Sequence, residues 1–314
     1  MASETVRVAV AVISRNNKIL IARRPQHLHQ GGLWEFPGGK LELHESVTDT
    51  LVRELSEELD IEATHYTPLI RIHHDYGDKK VLLDAWRVTA FEGEPHGHEG
   101  QETRWVESGE LPKYDFPLAN KAILKALALP SRCLITPEPV DASSFLKALK
   151  NSLLAGVRLV QLRAKSLDEE RYLSLAQQVE ALCHEFSATL ILNTSVEVFQ
   201  KTNADGLHLS AEHLMALSTR PVEKRVLLSA ACHTIEEVAQ ANRLELDLIF
   251  VSPVEKTLSH PGTAPIGWKG LYELSDPANM PVYALGGMES NDVDKARRYG
   301  AQGIAAIRAL WHEA

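Results

Sequence analysis

The sequence predicts an α/β protein in two domains: a layered, strand-rich domain at residues 1–130, then a closed barrel of eight parallel strands at residues 131–314. Three observations predict this. The chain has 314 residues, rather long for one domain. Its first third reads as strands around one strong helix. After Ser131, short apolar runs alternate with helical stretches, the rhythm of strand–helix–strand units in a parallel sheet.

In order, Val6–Val12 is an apolar strand and Lys18–Arg23 a second. The Asn16-Asn17 turn joins them as a hairpin, because Asn tolerates the positive φ such turns need. Val47–Leu59 is a helix with Val47, Leu51 and Leu55 as its apolar stripe. Lys80–Phe91 returns to strand, Val81, Leu83 and Ala85 alternating onto one face. Asn120–Leu129 is a short helix stopped by Pro130. The barrel strands are then Cys133–Thr136, Val157–Leu162, Thr189–Leu192, Gly206–Leu209, Val226–Ser229, Leu248–Val251, Val282–Leu285 and Gly303–Ile307. The early connections are helices over Ser143–Ala155 and Leu167–Phe186. Closure into a barrel follows from eight such repeats.

Composition excludes several functions. The net charge is −9 and the pI about 5.9, so a general phosphate-backbone binder, which needs a basic surface, is excluded. No apolar run is long enough to cross a bilayer, and Met1–Arg7 has no basic stretch followed by an apolar core. Cys133, Cys183 and Cys232 lie far apart, which argues against a disulfide framework or a cysteine-rich zinc site and for a reducing cytoplasm. His96 and His98 raise a zinc site, but no third ligand at helical spacing is evident.

The helix Val47–Leu59 carries Glu54, Glu57 and Glu58 at i, i+3 and i+4, so three carboxylates share one face within a turn. They repel unless a cation sits among them. Hard oxygen donors with room for water suit Mg²⁺, with Mn²⁺ as a substitute. The bland alternative is a solvated acidic face. The spacing extends further, however. Gly39, five residues, Glu45, seven residues, then Arg53-Glu54-Leu55-Ser56-Glu57-Glu58-Leu59-Asp60-Ile61 resembles the Nudix box, GX5EX7REUXEEXGU with U aliphatic. Asp60 replaces the box glycine that ends the helix left-handed, a place Asp tolerates better than most residues. Arg23-Arg24, Trp34–Lys40, Phe91–Gln101 and Asp115–Asn120 resemble the MutT-type members, over residues 5 to about 128.

That resemblance implies an α/β/α sandwich with a mixed sheet that hydrolyses nucleoside triphosphates, above all 8-oxo-dGTP, to the monophosphate and pyrophosphate. It implies metal ligands at the Gly38 carbonyl, Glu54, Glu57, Glu58 and Glu99, and nucleotide contacts at Arg24, His29, Glu35, Phe36, Pro37, Gly38, Asp78 and Asn120. Either Glu54 or Glu99 can take the proton of the attacking water. Arg53 reads as a holder of the glutamates rather than a substrate contact, and Phe36 as packing rather than recognition. Asn120 invites two readings. As an N-cap it would start the following helix. As a base reader, its carboxamide offers one donor and one acceptor, which match an oxidised guanine edge, where N7 has become N–H.

The second part resembles the thiamine-phosphate synthase and TenI superfamily over about 131–310, through Cys133-Leu-Ile-Thr136, Gln161-Leu-Arg163-Ala-Lys165, Leu192-Asn193, Asp205-Gly-Leu-His208-Leu209, Ser252-Pro253 and Gly286-Gly287. It implies a (β/α)8 barrel holding a phosphorylated ligand through Gln161, Arg163, Lys165, Asn193, Gly286 and Gly287. Two departures bear on activity. Thr194 and His213 stand where the synthases carry magnesium-binding acids, with Glu212 as a substitute carboxylate, and Thr257–His260 departs from the synthase Thr-x-Thr-Lys loop. Synthase activity is therefore expected to be altered or lost. His233 is the candidate acid/base of a TenI-like tautomerase, against the alternative of an exposed loop histidine, and Cys232 reads as a buried small residue. The whole is expected to act on a small nucleotide, with no polymeric nucleic acid and no membrane as partners, and to prevent mutagenic incorporation. The rivals are a thiamine-pathway enzyme whose Nudix half cleaves a thiamine-related diphosphate, and a barrel that only regulates.

Overall fold

The computed structural model describes residues 5–27, 30–98, 100–257 and 262–313. The chain divides into two compact units, Met1–Ala128 and Leu129–Ala314.

The first unit runs β1 (Val6–Arg15), β2 (Lys18–Arg23), β3 (Trp34–Glu35), β4 (Gly38–Lys40), α1 (Val47–Leu59), β5 (Glu62–Asp75), β6 (Lys80–Glu92), β7 (Thr103–Glu107) and α2 (Lys121–Ala128). Its strands form one mixed sheet. β1 is parallel to β6 and antiparallel to β2 and β4, and the main path is β3-β2-β1-β6-β5. Asn16 and Asn17 both take positive φ, 51° and 62°, and close the β1–β2 hairpin. β1 is buried on both faces, which explains its unbroken apolar run. Ala9, Ala11 and Ile13 pack with Leu51, Leu55 and Leu59 of α1. Val10 and Val12 pack on the other side with Ile123 and Ala126 of α2. The layers are therefore α/β/α.

Four strands escaped the sequence reading: β3 and β4 are only two and three residues long, and β5 and β7 lack a clean period-two signal. β5 is an edge strand with Pro68 inside it and register shifts at Ala63/His65, His65/Tyr66 and Pro68/Ile70. Those irregularities erase the period-two signal, and an edge tolerates the missing proline donor. β7, paired only with β2, carries Arg104 and Trp105 where an apolar run was sought.

The second unit is a closed parallel barrel of β8 (Arg132–Ile135), β9 (Leu159–Leu162), β10 (Thr189–Asn193), β11 (Gly206–Leu209), β12 (Leu227–Cys232), β13 (Leu248–Val251), β14 (Val282–Leu285) and β15 (Gly303–Ala306), each hydrogen-bonded to the next and β15 to β8. Helices α3 (Ala142–Leu154), α4 (Glu169–Glu185), α5 (Val196–Phe199), α6 (Ala211–Ala216), α7 (Ile235–Arg243), α8 (Gly267–Ser275) and α9 (Val293–Arg298) connect them. Leu159, Ile191, Leu248, Phe250 and Tyr283 fill the barrel interior, while alternate residues such as Val160, Leu190 and Ile249 face the helices. Among the described residues no helix is long and apolar enough to cross a membrane.

Candidate active site and barrel rim

The acidic face of α1 is set by its two caps. Ser46 accepts from the Asp49 N–H, and Asp49 in turn accepts from the Ser46 N–H, a capping box that fixes the helix start. Asp60 ends the helix at φ 56° and ψ 43°, and its N–H reaches the carbonyls of Leu55 and Ser56. Between those ends Arg53 is the hub. Its guanidinium lies 2.7 Å from Glu45, 2.9 Å from Glu54 and 3.1 Å from Glu57. It also donates to the Lys40 carbonyl at 3.3 Å. The cation that relieves the clustered carboxylates here is thus a side chain of the same helix. The Arg53 hydrogen bonds, above all, hold the Glu45 carboxyl down to about 2. Glu54 moves the other way: burial raises its carboxyl, against the pull of Arg53.

The Gly38-Gly39 turn makes room for these groups. A Cβ on Gly39 would sit 2.0 Å from the Glu54 carboxyl carbon, and one on Gly38 2.1 Å from the Ala9 carbonyl oxygen. Gly38 also takes φ 142°, and its N–H donates to Glu58 at 3.2 Å. Only glycines let strand and helix come this close. Among the described residues no three His, Cys, Asp or Glu side chains already converge as a metal cage. The donors present, carboxylates and a backbone carbonyl packed around side-chain-free glycines, are nonetheless the kind a hard dication takes. Glu99 and His29 lie outside the described residues.

The predicted nucleotide contacts fall into two groups. Arg24 is ion-paired with Glu35, both half-buried, and burial raises the Glu35 carboxyl against that pairing. Phe36 is buried and stacks on Phe116 with centroids 5.2 Å apart, so it packs in the core on the α2 side of the sheet. The Pro37 carbonyl is taken by the Ala11 N–H at 2.8 Å. Asn120 ends a 3-10 turn (Leu118–Asn120) that runs straight into α2. Its side chain is 7% exposed, caps nothing and makes no hydrogen bond among the described residues. Asp78, by contrast, is exposed in the turn between β5 and β6 and makes no hydrogen bond or ion pair among the described residues. Sequence reasoning missed Tyr76. Its hydroxyl meets the Ala119 backbone beside Asn120, and Arg24 lies within electrostatic reach. His96 and His98 lie with ring centroids 6.0 Å apart, and their N–H groups bind the carbonyls of Leu59 and Glu58. They serve to cap α1.

In the barrel the predicted residues gather at the C-terminal ends of the strands. Gln161 on β9 is 2% exposed, with its Oε1 buried and without a partner. Lys165, Asn193, Thr194, Ser195 and Tyr172 line a pocket of about 250 Å³. Arg163 is paired with Glu138 at 2.8 Å. Gly286 and Gly287 follow β14 with φ 97° and 70°. His233 follows β12, its Nδ1 2.7 Å from the Ser252 carbonyl. Cys232 is fully buried, and burial pushes its thiol up to about 12, which removes it as a nucleophile. His213 lies exposed on α6 and Thr194 on the pocket wall. Sequence reasoning missed His208. It is 5% exposed, bonds Ser229 at 3.0 Å, and is depressed to about 3 by burial and then by the charge of Lys165.

The family profile described as NUDIX domain matches residues 8–126, and that described as thiamine monophosphate synthase matches 132–310. The "8-oxo-dGTP diphosphatase" of Escherichia coli is 37% identical over 123 residues, 39% of this chain and 95% of that protein. The "CTP pyrophosphohydrolase" of the same organism is 40% identical over 121 residues, 38% of this chain and 90% of that protein. The "putative thiamine-phosphate synthase 2" of Aquifex aeolicus is 35% identical over 181 residues, 58% of this chain and 97% of that protein. With the box on α1 and the glycine-lined turn in the first unit and the parallel barrel in the second, the chain belongs to the Nudix family through its first unit and to the thiamine monophosphate synthase/TenI family through its second.

Proposed function

We propose that the first unit hydrolyses 8-oxo-dGTP, and 8-oxo-GTP with it, to the monophosphate and pyrophosphate, using Mg²⁺ with Mn²⁺ as a substitute, and so keeps the oxidised base out of nucleic acid synthesis. The observation that carries this reading is the Asn120 carboxamide, largely buried and making no hydrogen bond among the described residues. A ligand edge that matches its donor and acceptor would gain about 0.5–1.5 kcal/mol for each hydrogen bond formed. Oxidised guanine offers that edge, with N7–H as donor beside O6 as acceptor. On unoxidised guanine the amide oxygen would face the N7 lone pair, and a site built for a donor rejects a base that lacks it.

Glu54, Glu57, Glu58 and the Gly38 carbonyl would hold the dication, with Glu99. Bound there, it neutralises the triphosphate oxygens and acidifies the attacking water. Arg53 keeps the carboxylates of one helical turn from repelling each other and fixes the rotamer of Glu54. Glu54 or Glu99 receives the proton of the water. Phe36 and Phe116 supply an apolar wall for the base, and the Arg24–Glu35 pair lies near Asn120 through Tyr76.

For the barrel we propose a small phosphorylated ligand of the thiamine-pathway type, held at the rim by Gln161, Lys165, Arg163, Asn193 and the Gly286-Gly287 turn, with synthase activity altered or absent. Thr194 and His213 cannot supply the carboxylates that magnesium needs there. One observation favours a tautomerase instead. The Ser252 carbonyl ties down His233 Nδ1, which leaves Nε2 as a base. The three buried free cysteines suit a reducing cytoplasm.

The test is a substrate panel on the intact chain with pyrophosphate as readout: 8-oxo-dGTP, dGTP, CTP and thiamine diphosphate. A kcat/KM for 8-oxo-dGTP at least a hundredfold above that for dGTP and CTP is expected. CTP or thiamine diphosphate as best substrate refutes the reading.

A further inference from the structure

The barrel rim carries two cations that differ in their surroundings. Lys165 makes no ion pair among the described residues and lines the pocket with Asn193, Thr194 and Ser195. Arg163 donates to Glu138 at 2.8 Å. The same carboxylate accepts from the Lys165 N–H at 3.2 Å, the Ser166 N–H at 3.2 Å and the Ser166 hydroxyl at 2.9 Å. A carboxylate offers about four lone-pair sites, so Glu138 is saturated. Two successive backbone N–H groups, a hydroxyl and a guanidinium are the donor set of an anion nest. This one lies just past β9, on the face where barrel ligands bind. Thr136 laces the two segments together: its hydroxyl donates to the Arg163 carbonyl at 3.2 Å and accepts from the Arg163 N–H at 3.0 Å.

We propose that Glu138 is the resident anion of this nest and decides which anions the barrel accepts. A diphosphate reaching from Lys165 to Arg163 binds only after Glu138 swings out, whereas a single phosphate on Lys165 leaves Glu138 in place. The inference rests on the reading of the barrel as a phosphate-ligand domain. It adds a competition between an internal carboxylate and the outer phosphate group of the ligand.

The experiment is calorimetric titration of the full chain, without divalent cations, with inorganic pyrophosphate and separately with inorganic phosphate. Heat that survives in Arg163→Met is assigned to sites outside the nest and subtracted. Glu138→Gln is expected to bind pyrophosphate at least tenfold more tightly than the unaltered protein and phosphate within threefold of it. Glu138→Asp, one methylene too short to reach all four donors, is expected to gain at least threefold and serves if the Gln variant unfolds early. If the unaltered protein binds either anion and neither variant binds pyrophosphate more tightly, the role of Glu138 is refuted while the phosphate-ligand reading stands. If no form binds either anion, both fall together.

Discussion

Replacing Asp60 by Gly should stabilise the first unit without touching its chemistry. Asp60 holds φ 56° and ψ 43° at the end of α1, a left-handed conformation that costs a residue with a β-carbon about 1 kcal/mol, somewhat less for Asp. Its carboxylate also lies at the negative end of the helix dipole, an unfavourable term of about 0.3–1 kcal/mol. The side chain is exposed and makes no hydrogen bond or ion pair among the described residues, so little contact is lost. Glycine's greater freedom in the unfolded chain takes back about 0.4–1 kcal/mol. The net expectation is a gain of about 1 kcal/mol. For a unit of 128 residues, unfolding entropy of about 2.1 cal/mol/K per residue turns this into about 4 °C in Tm. Scanning calorimetry of the whole chain reads it, with Asp60→Asn as the control that removes charge but keeps the backbone strain. Asn should gain about half as much as Gly, and pyrophosphate release should match the unaltered protein in both. An unchanged or lower midpoint for Gly, or equal gains for Gly and Asn, would refute the backbone argument.

Glu54→Gln and Glu58→Gln should each lower kcat for triphosphate hydrolysis by at least a hundredfold with an unchanged Tm; turnover within threefold of normal removes them from the metal set. Asn120→Ala should collapse the preference for 8-oxo-dGTP over dGTP to within about fivefold while leaving kcat on dGTP alone, and intact selectivity returns Asn120 to a structural role. His208 gives a pH dependence. Buried and depressed to about 3, it is neutral in the folded barrel, while the unfolded chain protonates near 6.5. Its stabilisation is therefore full above pH 6.5 and is lost as pH falls toward 3, about 2 kcal/mol of it between pH 7 and 5. Urea unfolding of His208→Asn should lack that slope, and identical slopes for the two proteins refute the assignment.

Much of the first unit was legible because its signals are local. The Asn16-Asn17 hairpin, the helix Val47–Leu59 and the alternation of Val81, Leu83 and Ala85 depend on near neighbours, and each stands as read. The barrel was legible because eight apolar runs repeated, and their order closes the ring. What escaped depends on partners distant in sequence. β5 reads as polar because its inward residues change register at each bulge. Tyr76 has no motif; it matters only because a turn far along the chain brings Ala119 to its hydroxyl. Asn120 carried two readings that sequence alone left open. The 3-10 turn running unbroken into α2 leaves the cap nothing to do.

The resting partners of the charged groups escaped for a deeper reason. Sequence shows which charges the fold gathers but not which internal counter-ion meets them. On α1 three glutamates imply a cation; Arg53 meets Glu54 and Glu57 of these, with Glu45 before the helix, while Glu58 accepts from the Gly38 N–H, and the proposed dication would share or displace that guanidinium. At the barrel rim Arg163 and Lys165 imply an anion, and Glu138 supplies half of it. In both places the charges are partly exposed, so like charges left unpaired would repel only through solvent screening, and a resident partner removes that repulsion. The ligand then gains only the difference between its own contacts and those it replaces. On the proposed reading a doubly charged metal or a diphosphate would win that exchange where a singly charged group would not, and the internal ion pair would then filter ligands by charge.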